Sequence, residues 1–297
     1  GDVYKRQYFM STILVTGANG QLGNEMRNMS LLDDANKYIF TDVRELDITD
    51  LVAVQKFLSE NAVDFIVNCA AYTAVDKAES EIELCRKINA FAVENLAKAS
   101  ASVGAKMIHV STDYVYSGTH YMPYVETDAV APASVYGVTK LDGEQLLLAA
   151  NPNSVILRTS WLYSPYGNNF VKTMLRLGRE RESLSVVSDQ VGTPTYAADL
   201  AAAIVVIINN GEFVPGIYNF SDEGVCSWYD FTVTIHRIAG IATCRVVPID
   251  TADYPSAATR PFYSVMNKKK IKNTYPVAIP HWEESLRKCI AILQSQN

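Results

Sequence analysis

Five short apolar runs are spaced through the first half of the chain: TILVTG (12–17), YIFTD (38–42), DFIVNCAA (64–71), KMIHVST (106–112) and SVILRTS (154–160). Runs of this length without polar alternation are strands covered on both faces. Longer amphipathic stretches lie between them, notably EIELCRKINAFAVENLAKASASVG, whose Gly104 falls where a helix needs a left-handed end. Strand followed by helix, repeated, predicts a parallel sheet with right-handed crossovers and helices on both faces.

Beyond about residue 165 the pattern loosens. NNFVKTMLRLGRE and WYDFTVTIHRIAG read as helices, GIYNFS and CRVVPI as strands. The division expected is a nucleotide-binding unit over 10–165, with strands near 186 and 217 rejoining its sheet, and a smaller α/β region over 166–297 that binds substrate at the open end of the sheet. The apolar run LAAAIVVII (200–208) is about half the ~20 residues that span a bilayer, so it reads as a buried helix and no membrane partner is expected. GDVYKRQYF, before Met10, has no apolar signal core, and Met10 reads as a native start.

A net charge of −6 gives no electrostatic footprint for nucleic acid, and the basic cluster Lys268 to Lys272 reads as a solvated helix face. The five cysteines form no CxxC pair and leave an odd one over, which fits reduced thiols and a cytoplasmic protein. The four histidines show neither HxxxH nor HExxH spacing, so zinc chemistry is not supported.

VTGANGQLGNEM sets Gly17, Gly20 and Gly23 at the joint between the first strand and the first helix. Gly17 permits the tight turn, Gly20 lets backbone approach a pyrophosphate, and Gly23 lets helix and strand pack closely, with the helix N-terminus toward the negative charge. At that joint the pattern predicts dinucleotide binding and a Rossmann-type doubly wound sheet. Asp42, ending the second strand, stands where an acid accepts bonds from the adenosine ribose, whereas Arg44 could receive a 2′-phosphate, which leaves NADH and NADPH both open.

Tyr136 precedes Lys140 by four residues, on one face of a helix entered after Pro132. A phenol ordinarily ionises near 10, so using it as an acid near neutrality needs help worth roughly 4 kcal/mol. An ammonium one turn away supplies it and can also hold the nicotinamide ribose. Ser111 and Thr112, at the end of the fourth strand, offer a hydroxyl to orient a carbonyl. Asn89 is expected to hold backbone groups within its own helix, and His109 to be a core histidine.

The segments GANGQLG (17–23), NCAAYTAVDKAESE (68–81), STDYV (111–115), YGVTKLDGE (136–144), RTSWLYS (158–164), SDQVGTPT (188–195) and RPFYS (260–264) resemble the extended short-chain dehydrogenase/reductase family. Within it they are most similar to reductases of nucleotide-linked 4-keto-6-deoxy sugars, over nearly all of the chain from Met10. The resemblance implies Tyr136 as proton donor, Lys140 as its tuner and Thr112 as the carbonyl-orienting hydroxyl. It implies NADPH or NADH held by the glycine loop with Gln21 and Leu22, by Asp47 and Ile48 near adenine, and by Ala71, Tyr72 and Thr73. The nucleotide sugar would meet Val75, Asp113, Tyr114 and Trp161, with Arg260 as an anion contact. A homodimer belongs to the same implication, as does magnesium at a subunit contact in some members, with an acid at the position of Glu25; an exposed helix glutamate is the alternative there. Tyr116 and Ser117 depart from the STDYVFDG of many relatives. Two rivals follow from the scaffold: a non-catalytic regulatory subunit like that of methionine adenosyltransferase, and a nucleotide-sugar epimerase.

Overall fold

A computed structural model of the chain describes residues 10–296; the reading of the segment before Met10 lies outside them. Five strands occupy the apolar runs: β1 (Thr12–Thr16), β2 (Lys37–Thr41), β3 (Phe65–Asn68), β4 (Lys106–Thr112) and β5 (Ser154–Thr159). Two further strands of more than two residues, β6 (Ser183–Val187) and β8 (Arg245–Ile249), flank β7 (Gly216–Asn219) in the sequence. The main sheet has the order β2-β1-β3-β4-β5-β7, and every pairing in it is parallel. The chain steps outward from β1 to β2 and then returns to β3 on the other side of β1. That reversal opens a crevice at the carboxyl ends of β1 and β3, where ligands of such sheets bind.

Each face of the sheet buries its own cluster. Ile13, Val15, Ile108 and Val155 pack beneath α1 (Gln21–Ser30) and α6 (Ala197–Asn209), and the run read as a buried helix is this α6. Leu14, Ile66, Met107 and Ile156 pack beneath α2 (Leu51–Glu60), α3 (Ala92–Val103) and α4 (Val135–Ala150). Strands buried on both faces need no polar alternation, which is why they read as continuous apolar runs. Helix boundaries follow local chemistry: Asp50 caps α2, Ser134 caps α4, and Gly104 ends α3 with φ 73°.

A third cluster gathers α5 (Phe170–Glu180), α7 (Trp228–Ala239) and α8 (Trp282–Ser295) around β6. Here the sequence expectation divides. The strand near 217 is β7, hydrogen-bonded to β5, but the strand near 186 pairs with β8 in a separate two-stranded ribbon. Its pattern eBeBB exposes alternate residues, so it does not suit a position covered on both faces. The lysine cluster also departs from a solvated face, because Lys268 is buried and pairs with Glu223 at 3.3 Å, donating as well to the main-chain oxygen of Asp222.

Candidate active site

The glycines after β1 differ in what they make room for. Gly17 sits at φ +62°, and a Cβ there would stand 2.6 Å from the backbone of Ala70. A Cβ on Gly23 would meet the Gly17 oxygen at 2.4 Å, so this glycine lets α1 close on the turn. Gly20 has ordinary φ, and its Cβ would meet only the Gly17 oxygen at 3.3 Å. That approach is tight but far less so than at Gly17 or Gly23, and it leaves the Gly20 backbone open toward the cavity.

One cavity of about 850 Å³ runs from this loop into the second region. On the nucleotide side Gly20, Gln21, Leu22, Ala71 and Thr73 line it, and deeper in come Val75, Thr112, Asp113, Tyr114, Tyr136 and Lys140. Trp161 and Arg260 complete the set of expected residues on its wall. Gly17, Gly23, Asp42, Asp47, Ile48 and Tyr72 are not on that wall. Asp42 accepts the main-chain N–H of Asn19 at 3.1 Å and of Val43 at 2.8 Å, tying β2 to the loop. The Asp47 carboxylate accepts from Thr49 and is held below its usual range by those bonds, while Asn95 of α3 donates to the carbonyls of Ile48 and Thr49.

The two hydroxyls at the end of β4 point to different partners. Ser111 donates to Glu144, which is ion-paired with Arg158 at 2.6 Å in a buried network that also holds Tyr116. The departure at Tyr116 is absorbed there: it stacks on Tyr124 and donates to Asn219 at 2.8 Å. Thr112 is the hydroxyl left beside Tyr136, and it donates to Asp113 at 3.0 Å. Asp113 is 2% exposed with Oδ2 unpartnered, and burial pushes its carboxyl up to about 7 against the hydrogen bond from Thr112.

Burial also raises the Tyr136 phenol above its ordinary value; the Thr112 hydroxyl works against that, and the Asp113 charge adds to it. The Lys140 ammonium is not bonded to the phenol among the described residues. It donates to the main-chain oxygen of Val110 at 2.7 Å, and burial draws it down to about 8 while the nearby Glu144 opposes the shift. The spacing of four therefore sets the two side chains on one helix face, with the lysine anchored to β4.

Several neighbours had no sequence signal of their own. Trp228 stacks on Trp161 with ring centroids 3.5 Å apart, and Trp161 itself adopts φ 50°. Arg260 makes two bonds to Asp76, at 3.0 and 2.6 Å, and so spans from the 255–262 segment to the short helix Val75–Ala78. Asn89 does not serve its own helix: its side chain accepts from Tyr72 N at 2.8 Å and donates to Tyr72 O at 3.0 Å, clamping the loop that carries Ala71 and Thr73. His109 is fully buried with Nδ1 on Asn68 at 3.0 Å and Nε2 unpartnered; burial keeps it neutral. Glu25 is buried rather than exposed and takes the Asn28 amide at 3.0 Å. Among the described residues no group of three or more His, Cys, Asp or Glu is arranged to hold a metal ion.

A doubly wound parallel sheet with a pyrophosphate loop at its switch point, and a Thr, Tyr and Lys in one cleft, is the architecture of the nicotinamide-dependent short-chain dehydrogenases and reductases. The chain belongs to the family described as RmlD substrate binding domain, whose model matches residues 10–295. It is 41% identical over 287 residues to the dTDP-4-dehydrorhamnose reductase of Aggregatibacter actinomycetemcomitans, covering 94% of this chain and 98% of that one. Among solved structures, a dTDP-4-dehydrorhamnose reductase from Clostridium acetobutylicum superposes with a TM-score of 0.91 at 46% identity, covering 95% and 99% of the two chains. The Bacillus anthracis reductase, solved in complex with NADP, gives a TM-score of 0.91 at 41% identity over 96% and 100%.

Proposed function

We propose that the chain is a reductase that converts dTDP-4-dehydro-L-rhamnose to dTDP-L-rhamnose with NADPH or NADH, supplying a nucleotide sugar for cell-surface polysaccharide. The observation that carries this reading is one cavity that joins the glycine loop to Thr112, Tyr136 and Lys140 and continues past Trp161 to Gln190 and Arg260. That trio supports catalysis over a purely regulatory role, and the full-length relatives support reduction over epimerisation.

A nicotinamide held by the glycine loop and Lys140 would supply the hydride taken up at C4 of the sugar. Tyr136 gives its phenolic proton to the carbonyl oxygen, and Thr112 orients that oxygen by donating to it. For Thr112 to do so its hydrogen must leave Asp113; a protonated Asp113 can donate back to the threonine oxygen and release it. Lys140, still an ammonium at neutral pH and one helical turn from Tyr136, is the charge that would favour its phenolate and would reach the nicotinamide ribose. Gln21 and Leu22 line the pyrophosphate cradle; Asp42, Asp47 and Ile48 serve the adenosine side, and Arg260, held by Asp76, faces the substrate's diphosphate.

The same reading makes the protein cytoplasmic, in line with five unpaired cysteines. No helix among the described residues is long and apolar enough to cross a membrane. It also makes a second copy of the chain its partner, for which Ile82, Leu84 and Phe91 expose apolar surface. The test is consumption of NADPH with and without dTDP-4-dehydro-L-rhamnose. Sugar-dependent oxidation is expected; oxidation indifferent to the sugar would overturn the reading.

A further inference from the structure

Where the second region furnishes the cavity wall, Gln190 lies 4% exposed beside Thr251 and Tyr254. Asp189 accepts the main-chain N–H of Thr251 at 2.9 and 3.0 Å and its hydroxyl at 2.6 Å. The Thr251 hydroxyl hydrogen is committed to Asp189, so the hydroxyl has only lone pairs to offer to another group. Gln190 reaches that same oxygen at 3.1 Å and must bring its NH₂ to it. The network thus fixes which way the amide faces. Its Oε1 is left on the cavity wall with no hydrogen-bond partner among the described residues, an acceptor that cannot turn into a donor.

We propose that Gln190 reads the base of the nucleotide sugar, its Oε1 accepting the N3–H of a 2,4-dioxopyrimidine while Asp189 and Thr251 hold the amide in that orientation. The inference rests on the reductase reading in one respect: with the sugar at Tyr136, the nucleotide end is what extends into the second region. Thymine and uracil carry a hydrogen on N3; cytosine presents a lone pair there, which would face Oε1 acceptor to acceptor. A site built to take one hydrogen from its ligand rejects the analogue that lacks it, because a buried polar atom then goes unpaired.

The experiment is calorimetric titration of the NADPH-loaded protein with dUDP and dCDP, which differ only at the N3–C4 edge. Wild type is expected to favour dUDP by about 10- to 100-fold. Gln190→Met should narrow that ratio by about tenfold, through loss of dUDP affinity. Thr251→Val frees the amide to turn, so dCDP should bind more tightly than it does to wild type, a gain that a merely structural role would not produce. A wild type indifferent to the base, or an unchanged ratio in both variants, overturns the proposal. Turnover of dTDP-4-dehydro-L-rhamnose is scored separately: its absence alongside an intact base preference would remove the reductase reading and leave the base reading standing.

Discussion

Ser111 and Thr112 are adjacent hydroxyls with different tasks, and strand geometry separates them. Successive side chains of β4 point to opposite faces, so Ser111 enters the Glu144 and Arg158 network while Thr112 faces Tyr136. The residues alone offered both and only the family resemblance pointed to Thr112, because the physical distinction depends on Glu144, 33 residues away. The Tyr136 and Lys140 pair was legible, since helical spacing is local; the anchoring of Lys140 on Val110 was not. Tyr136→Phe deletes one oxygen and keeps the ring, so the fold should persist while turnover drops about 10²–10⁴-fold, roughly 3–5 kcal/mol of barrier. Cofactor affinity should hardly change. Lys140→Met should instead harm both turnover and cofactor binding, since it removes a charge and a ribose contact together. Steady-state kinetics beside a cofactor titration separates the two patterns, and wild-type turnover in Tyr136→Phe would remove its role.

At the scale of elements, the stretch 81–104 reads as one continuous helix but is built in three parts: Ile82–Arg86, a π-helical turn Lys87–Phe91, and α3. Periodicity cannot register one widened turn, because the apolar face continues on both sides of it. The turn carries Asn89, and its main-chain oxygen faces α4 at Gly143, where a Cβ would stand 2.1 Å from it. Asn89 thereby links α4, which carries Tyr136 and Lys140, to the Tyr72 loop through a π-turn. Asn89→Leu removes both bonds to Tyr72 and should raise KM for the cofactor about 5- to 150-fold, as expected for about 1–3 kcal/mol of lost loop order. A variant with a lower melting temperature but unchanged KM would reduce Asn89 to a packing residue. The network around Gln190 was invisible for a related reason: Gln190 and Thr251 lie 61 residues apart, in loops just beyond the ends of β6 and β8.

Across the whole molecule, the six-stranded sheet and its crossovers were readable because alternating strands and helices repeat a local pattern, whereas the joint between the two regions depends on buried polar groups scattered along the chain. Asp222, fully buried after β7, accepts the Tyr196 N–H at 3.0 Å beside Asp199, which takes the Ser285 hydroxyl of α8. Burial, then the Asp199 charge, pushes the Asp222 carboxyl up to about 8 from an ordinary 3.8. A raised folded value means that the folded state holds the proton longer than the unfolded one, so this group's stabilisation is full below about 4 and is lost as pH rises through about 8. Asp222→Asn cannot ionise and should gain melting temperature relative to wild type as pH climbs from about 5 to 9. A constant difference across that range would contradict the assignment.

The central claim, that this cavity joins a nicotinamide to a sugar carbonyl, is tested most directly by labelled hydride transfer. The protein is given NADPH deuterated at the transferable position of its ring, with dTDP-4-dehydro-L-rhamnose, and the sugar product is examined by mass spectrometry and NMR. Deuterium at C4 of dTDP-L-rhamnose is the expected result, and Tyr136→Phe should form the same labelled product far more slowly. A reduced product without label at C4, or no reduction while the protein binds both ligands, would contradict the account.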